Sequence, residues 1–337
     1  MLSFPSIHHR KLAVLACALL LFCSLSSLAQ TAAKAKATPT RAGDIHISDF
    51  DATRAYNHVK KMVDVGPHPA GSPAIKKVQE YIEKELKSYG LKITEDTFEA
   101  VTPRSTVAMK NIIAELPGEK PEVVLITGHY DTKLQPGFVG ANDGGSSAAT
   151  VLELARVLAK TRPAYTLWFV FFDGEEAVVD WSAMNGKDNT YGSRHLAEKM
   201  KADGSLAHTK ALLLVDMIGD KDLDIKREGE STRWLVDILW NTAQTVGYEK
   251  NFLRDEQFIS DDHLPFKEMG VPVVDLIDFN YGPDHAYWHT NQDTLDKISG
   301  ASLKAVGDVI IRALPDIYKR LDNPPPPRVK NKSGENH

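Results

Sequence analysis

An α/β fold, a single domain on a central, mostly parallel mixed sheet with helices on both faces, follows from two observations. Apolar runs of strand length alternate along the chain with longer segments of helical periodicity. The runs at 165–172 and 211–215 are apolar almost throughout, as strands covered on both faces tend to be. No internal repeat and no long linker divides the series.

Taken in order, residues 51–65 pattern as a helix. A second helix spans 73–89, with Ser72 as its N-cap and Gly90 at its end. Strands follow at 111–116 and 123–127, the latter running into Gly128-His129. An apolar-striped helix spans 146–160, a strand 165–172, a helix 191–201 and a strand 211–215, which stops at Asp216. A helix at 232–246, a strand at 271–277 and a closing helix at 303–321 complete the domain, assigned to residues 46–322. In such sheets ligands bind beyond the carboxyl ends of the strands.

The two ends read differently. His8-His9-Arg10-Lys11, an apolar run over 12–22 and the exit Ser27-Leu28-Ala29 predict a signal peptide over 1–29, its apolar core too short to span a membrane. A flexible linker is expected over 30–45, headed by Gln30 if cleavage follows Ala29, and a Pro-rich polar tail over 323–337. The mature protein is therefore expected to be secreted or periplasmic and free of the membrane. Both cysteines, Cys17 and Cys23, fall in the leader, so any metal must be held by His, Asp and Glu. The chain has 337 residues and a net charge of −5, which gives no basic footprint for nucleic acid.

Acids and histidines gather just past the strand ends. His129-Tyr130-Asp131 follows one strand, and Asp143 lies before the next helix. Glu175 and Glu176 follow the aromatic strand, Asp216 ends the next, Asp261-Asp262-His263 precedes the last, and Trp288-His289-Thr290 lies beyond it. One such acid is ordinarily a turn or a helix cap. Many at one sheet edge, without sulfur, suit a catalytic Zn²⁺ with an open position. In "FFDGEEAVVDWS" one glutamate can bind metal while its neighbour moves protons. Glu176 is read as the ligand and Glu175 as the acid/base.

The motifs "GHYDT" (128–132), "GANDGG" (140–145), "FFDGEEA" (171–177), "LLLVDMIGD" (212–220) and "WHTNQDT" (288–294) together resemble the M28 zinc aminopeptidase superfamily. Within it, "FFDGEEAVVDWS", "YGSRHLAEKM" (191–200) and "DDHLPF" (261–266) are most similar to the glutaminyl cyclases, which convert N-terminal glutamine to pyroglutamate. The resemblance covers roughly residues 50–321. It implies one zinc on Asp143, Glu176 and His289, with Glu175 as proton shuttle supported by Asp216 and Asp261. It also implies apolar walls from Trp181 and Trp288, a cis peptide after Asp143, and a monomer acting on peptides or proteins with N-terminal Gln. Gly144 and Asp275 stand where the animal cyclases carry Ser and His, and Ser260 where they carry Gln.

A two-zinc aminopeptidase of the same superfamily is the competing expectation. It would use water as nucleophile, with His129 and Asp216 binding a second metal and Asp143 bridging. Asp261, Trp181 and Trp288 weigh toward the cyclase, where such peptidases usually carry Ser at the first position and Tyr at the last. "NQDTLDKIS" (291–299) is closer to the peptidase pattern.

Overall fold

The computed structural model describes Met1, a two-residue strand β1 (Thr40–Arg41) and residues 49–325. The rest of the leader and linker, and the tail beyond Pro325, lie outside the described residues. Within the segment expected to be a linker (30–45), Thr40 and Arg41 pair in parallel with Thr161 and Arg162. Backbone pairing needs little apolar content, so composition did not reveal it.

Local chemistry sets the first helices. Asp51 caps α1 (Ala52–Val63), its carboxylate accepting from the N–H groups of Thr53 and Arg54 at 2.9 and 3.1 Å. Ser72 caps α2 (Pro73–Ser88) through the Ile75 N–H, and Pro73 starts the first turn, where a missing N–H costs nothing. The chain continues through β2 (Lys92–Val101), β3 (Thr106–Leu116), β4 (Lys120–His129), α3 (Gly145–Leu158), β5 (Thr161–Arg162) and β6 (Tyr165–Phe172). Then come short α4 (Ala183–Gly186), α5 (Tyr191–Asp203), β7 (Thr209–Asp216), β8 (Ile225–Glu228), α6 (Arg233–Thr245), β9 (Phe252–Gln257), α7 (Leu264–Glu268), β10 (Val273–Ile277) and α8 (Gly300–Asp322).

The central sheet has six strands in the order β10-β7-β4-β6-β3-β2. β10, β7, β4 and β6 are parallel, while β3 and β2 are added antiparallel at one edge. β2 was not expected from the sequence. Its residues KITEDTFEAV are heavily charged, which suits an edge strand with solvent on one side and discourages edge-to-edge association. β8 and β9 form a separate parallel pair.

Alternation along each parallel strand builds two cores. Ala211, Leu213 and Val215 of β7 face the layer of α1, α2, α3, α6 and α8; Leu212 and Leu214 face α5 and α7. The β4–α3–β6 crossover thus covers one face and β6–α5–β7 the other. That reversal beside β4 opens a crevice at the carboxyl edge, where β4 ends in His129 and its neighbour β7 in Asp216.

Candidate active site

The loops at this edge are braced by buried carboxylates that accept backbone N–H groups. Asp131, just past β4, accepts from Glu175 at 3.1 Å and Glu176 at 3.4 Å and so fixes the paired glutamates. Asp293 accepts from Asn142 at 2.8 Å, Asp143 at 3.0 Å and the Tyr281 hydroxyl at 2.7 Å. Asp188 accepts from three consecutive N–H groups, of Val178, Val179 and Asp180, at 2.7–3.1 Å, and from the Tyr191 hydroxyl at 2.6 Å. Each buried carboxyl accepts at least two backbone N–H groups, so these three acids hold the loops that present the site. Sequence reading assigned them no role. Their signal was weak, because a single Asp in a loop has many uses.

Asp143, Glu176 and His289 converge as a group able to hold a metal ion. His289 Nε2 lies 3.4 Å from Asp143 Oδ2 and 3.3 Å from Glu176 Oε1, and both oxygens are buried without a hydrogen-bond donor. Ligand atoms around tetrahedral Zn²⁺ stand roughly 3.3 Å apart, so the residues present fit such an ion. Lys133 donates to the other oxygen of Glu176 at 3.3 Å, a contact not anticipated from sequence. His289 has φ +53°, a left-handed backbone costing a non-glycine residue about 1–2 kcal/mol. Such strain is characteristic of functional positions.

His129, Asp143 and Asp216 form a second group within metal-binding distances, sharing Asp143 with the first. Here it is Asp216 Oδ1 that is already engaged, while His129 Nδ1 is buried without a hydrogen-bond partner. His129 Nε2 lies 3.1 Å from Asp216 Oδ1 and 3.3 Å from Asp143 Oδ1. The same Asp216 oxygen accepts from Ser147 Oγ at 2.9 Å and the Met217 N–H at 2.8 Å. In this group one oxygen of Asp216 is taken up by three contacts, whereas Asp143 Oδ2 and Glu176 Oε1 beside His289 keep free lone pairs.

Charge follows the same division. Burial opposes a charge on His129, but Asp216 and Glu175 overcome it and raise the imidazole well above its usual range. Burial also opposes a charge on His289, yet the neighbouring carboxylates of Asp143 and Glu176 bring it up to about 9. Asp143 is held well below the ordinary carboxylate range: burial works against this, and His129 and His289 prevail.

Glu175 stands with Oε2 4.0 Å from His129 Nδ1. Burial pushes its carboxyl well up, His129 counteracts, and Asp261 and Glu176 add to the rise. Burial, then Asp216 and Asp262, push Asp261 up in turn. A carboxyl raised in this way holds a proton more readily than an ordinary carboxylate, as a group that takes and returns one must. Asp275 is fully buried behind them, raised by burial and then by Asp261.

The described residues contain no cis peptide bond, so the cis link expected after Asp143 is not present. Gly144 supplies the turn instead with φ +84°. A Cβ there would meet the Asp131 carbonyl oxygen at 2.7 Å and the His129 ring at 3.1 Å, which explains why no serine stands at this position.

A cavity of about 550 Å³ opens over the site. Asp143, Glu175, Asp216 and Asp261 contribute to its floor and Trp181, Phe279 and Trp288 to its walls; His289 and Ser260 also line it. The Trp288 ring stacks on His289 at 4.1 Å and packs against Phe279 at 4.8 Å. Trp181 has a buried indole N–H without an acceptor. A larger cavity of about 790 Å³ between α2 and the β2–β3 edge contains none of these residues.

All nine residues singled out from sequence, the two tryptophans included, are therefore brought to one end of the sheet. A model of peptidase family M28 matches residues 111–314. A glutaminyl-peptide cyclotransferase of Drosophila melanogaster is 30% identical over 275 residues, covering 73% of this chain and 76% of its own. The crystal structure of an Acidobacteriales bacterium glutaminyl cyclase superposes with a TM-score of 0.77 at 40% identity, over 85% of this chain and 98% of that one. A structure described as a leucine aminopeptidase precursor from Bacteroides thetaiotaomicron superposes with a TM-score of 0.72 at 26% identity, over 80% and 98%.

Proposed function

Because the chain belongs to peptidase family M28, among its glutaminyl-peptide cyclotransferases, we propose that it is a one-zinc enzyme converting N-terminal glutamine of peptides and proteins to pyroglutamate, with release of ammonia. One observation carries the single-metal assignment. The Asp143–Glu176–His289 group has unpartnered lone pairs, while Asp216 in the neighbouring group already receives three contacts.

In this reading the glutamine side chain lies between Trp181 and Trp288, with its γ-carboxamide toward Asp143, Glu176 and His289 and its α-amine toward Glu175 and Asp261. Bound Zn²⁺ would supply Lewis acidity at the amide oxygen. The amine nitrogen bonds to the γ-carbon, closing the five-membered ring. Glu175 takes the proton that nitrogen loses and delivers it to the departing amide nitrogen, so the C–N bond breaks and ammonia leaves. Burial and Asp261 keep Glu175 in a protonatable state against the pull of His129, which Asp216 and Asp143 flank. The aromatic walls hold amine and amide together, and proximity contributes much of the rate. With the leader at 1–29, the enzyme is exported and works as a monomer.

The aminopeptidase reading draws on the shared position of Asp143 between two possible metal groups. Purified protein assayed on Gln-β-naphthylamide and Leu-p-nitroanilide separates the two. Ammonia release from the first alone supports the cyclase; hydrolysis of the second, with two zincs per chain, supports the peptidase.

A further inference from the structure

We infer that Phe258, with Val179, forms a subsite that selects a bulky apolar side chain on the residue immediately after the substrate's N-terminal glutamine; this rests on the cyclase reading. Phe258 is 69% exposed and Val179 52%, an unusual degree for large apolar groups, and both line the cavity that ends at Glu175 and His289. Scattered surface hydrophobics need no explanation. Two from different loops, converging on one catalytic cavity, call for an apolar partner.

Both residues are held in place. The Gly229 N–H donates to the Gln257 carbonyl at 2.7 Å, and the Ile259 N–H donates to Glu228 Oε1 at 3.3 Å, pinning the backbone on either side of Phe258. The Phe258 ring lies across Gly229 so closely that a Cβ on that glycine would come within 2.4 Å of the ring carbon Cε1. The absence of a side chain at 229 is what seats the ring. Across the cavity, the Val179 N–H donates to Asp188 at 2.7 Å. An apolar surface exposed but already ordered binds a side chain without paying to arrange itself.

The path of the substrate puts its second residue there. Its glutamine side chain fills the inner end beside the metal-ligand group, so the peptide leaves through the mouth past Phe258 and Val179. The volume of about 550 Å³ falls in the roughly 300–1,000 Å³ range of sites that enclose drug-sized ligands, larger than a single side chain requires. Among the described residues of the lining, Lys133 is the one basic side chain besides His289 and is paired with Glu176, while the exposed acid Asp180 also lines the cavity. An acidic second residue therefore meets repulsion as well as an apolar wall.

The test compares kcat/KM for Gln-Phe-amide, Gln-Gly-amide and Gln-Glu-amide in zinc-loaded wild type, Phe258→Ala and Gly229→Ala. Wild type is expected to favour Gln-Phe over Gln-Gly by roughly tenfold or more, the low end for a hydrophobic contact, with Gln-Glu poorest. Phe258→Ala should bring the Gln-Phe to Gln-Gly ratio close to one, mainly through KM. Gly229→Ala, which leaves the phenylalanine in the chain but displaces its ring, should move the ratio the same way. A wild type that cyclises all three equally, or a Phe258→Ala that lowers Gln-Phe and Gln-Gly by the same factor, would remove the subsite and leave the cyclase standing. A wild type that cyclises none of them would remove both.

Discussion

The adjacent glutamates offer the sharpest test of the site, because one backbone brace holds both and their side chains face different groups. Glu175→Gln keeps the backbone N–H donated to Asp131 and breaks no short ion pair, since Glu175 Oε2 stands 4.0 Å from His129 Nδ1. Stability should change by no more than about 1 kcal/mol. Proton transfer is what disappears, and kcat should fall by ~10²–10⁴-fold with zinc retained. Glu176→Gln acts elsewhere. It replaces an oxygen 3.3 Å from His289 Nε2 that has no other partner, and it leaves Lys133 without its counter-charge. Removing even a group one step away from a metal typically costs ~10–100-fold in affinity, so zinc binding here should weaken by at least that much. Zinc content after dialysis against graded chelator, with ammonia release measured at saturating zinc, reads both effects. Equal zinc loss in the two variants would refute the division of roles.

Three further outcomes are expected. Elemental analysis should find one tightly bound zinc, and His129→Asn should retain it while losing about 3–5 kcal/mol by denaturation, because a buried charge is removed from among acids; two zincs, both needed for activity, would contradict this. Trp288→Ala should lower kcat/KM by tenfold or more but cost less than the roughly 3–5 kcal/mol of a core truncation, since the half-buried ring leans on Phe279 and His289; denaturation beside kinetics decides. Asp188→Asn turns one accepting oxygen into a donor that faces either the Val179 and Asp180 N–H groups or the Val178 N–H and the Tyr191 hydroxyl, so a loss of about 2–4 kcal/mol and a raised KM are expected; an unchanged KM would show that this loop does not position Trp181.

Strand and helix identity was legible in the sequence wherever burial imposes a period or a cap has one chemistry. Residues 165–172 read as a strand and form β6 over those same residues, because strands covered on both faces must be apolar throughout. Ser72 marked the start of α2 because its hydroxyl meets an orphan N–H. The acids and histidines of the site were visible as well, since parallel strands deliver their carboxyl ends to one edge. Other features depend on contacts between residues far apart in the chain, and these only the tertiary structure decided. The charged β2 becomes a strand because β3 offers it hydrogen bonds along its whole length. Asp131, Asp188 and Asp293 are braces because loops fold back onto them, as Asp293 does across 150 positions to reach the Asp143 N–H. The turn after Asp143 is made by a glycine at positive φ, against the cis bond expected there, because the Asp131 carbonyl and the His129 ring leave no room for a side chain. Sequence also left open which of two overlapping groups around Asp143 has lone pairs to spare. Three-dimensional packing brings two donors to Asp216 Oδ1 and leaves Glu176 and Asp143 facing His289, and hydrogen-bond capacity of that kind is a property of neighbours in space.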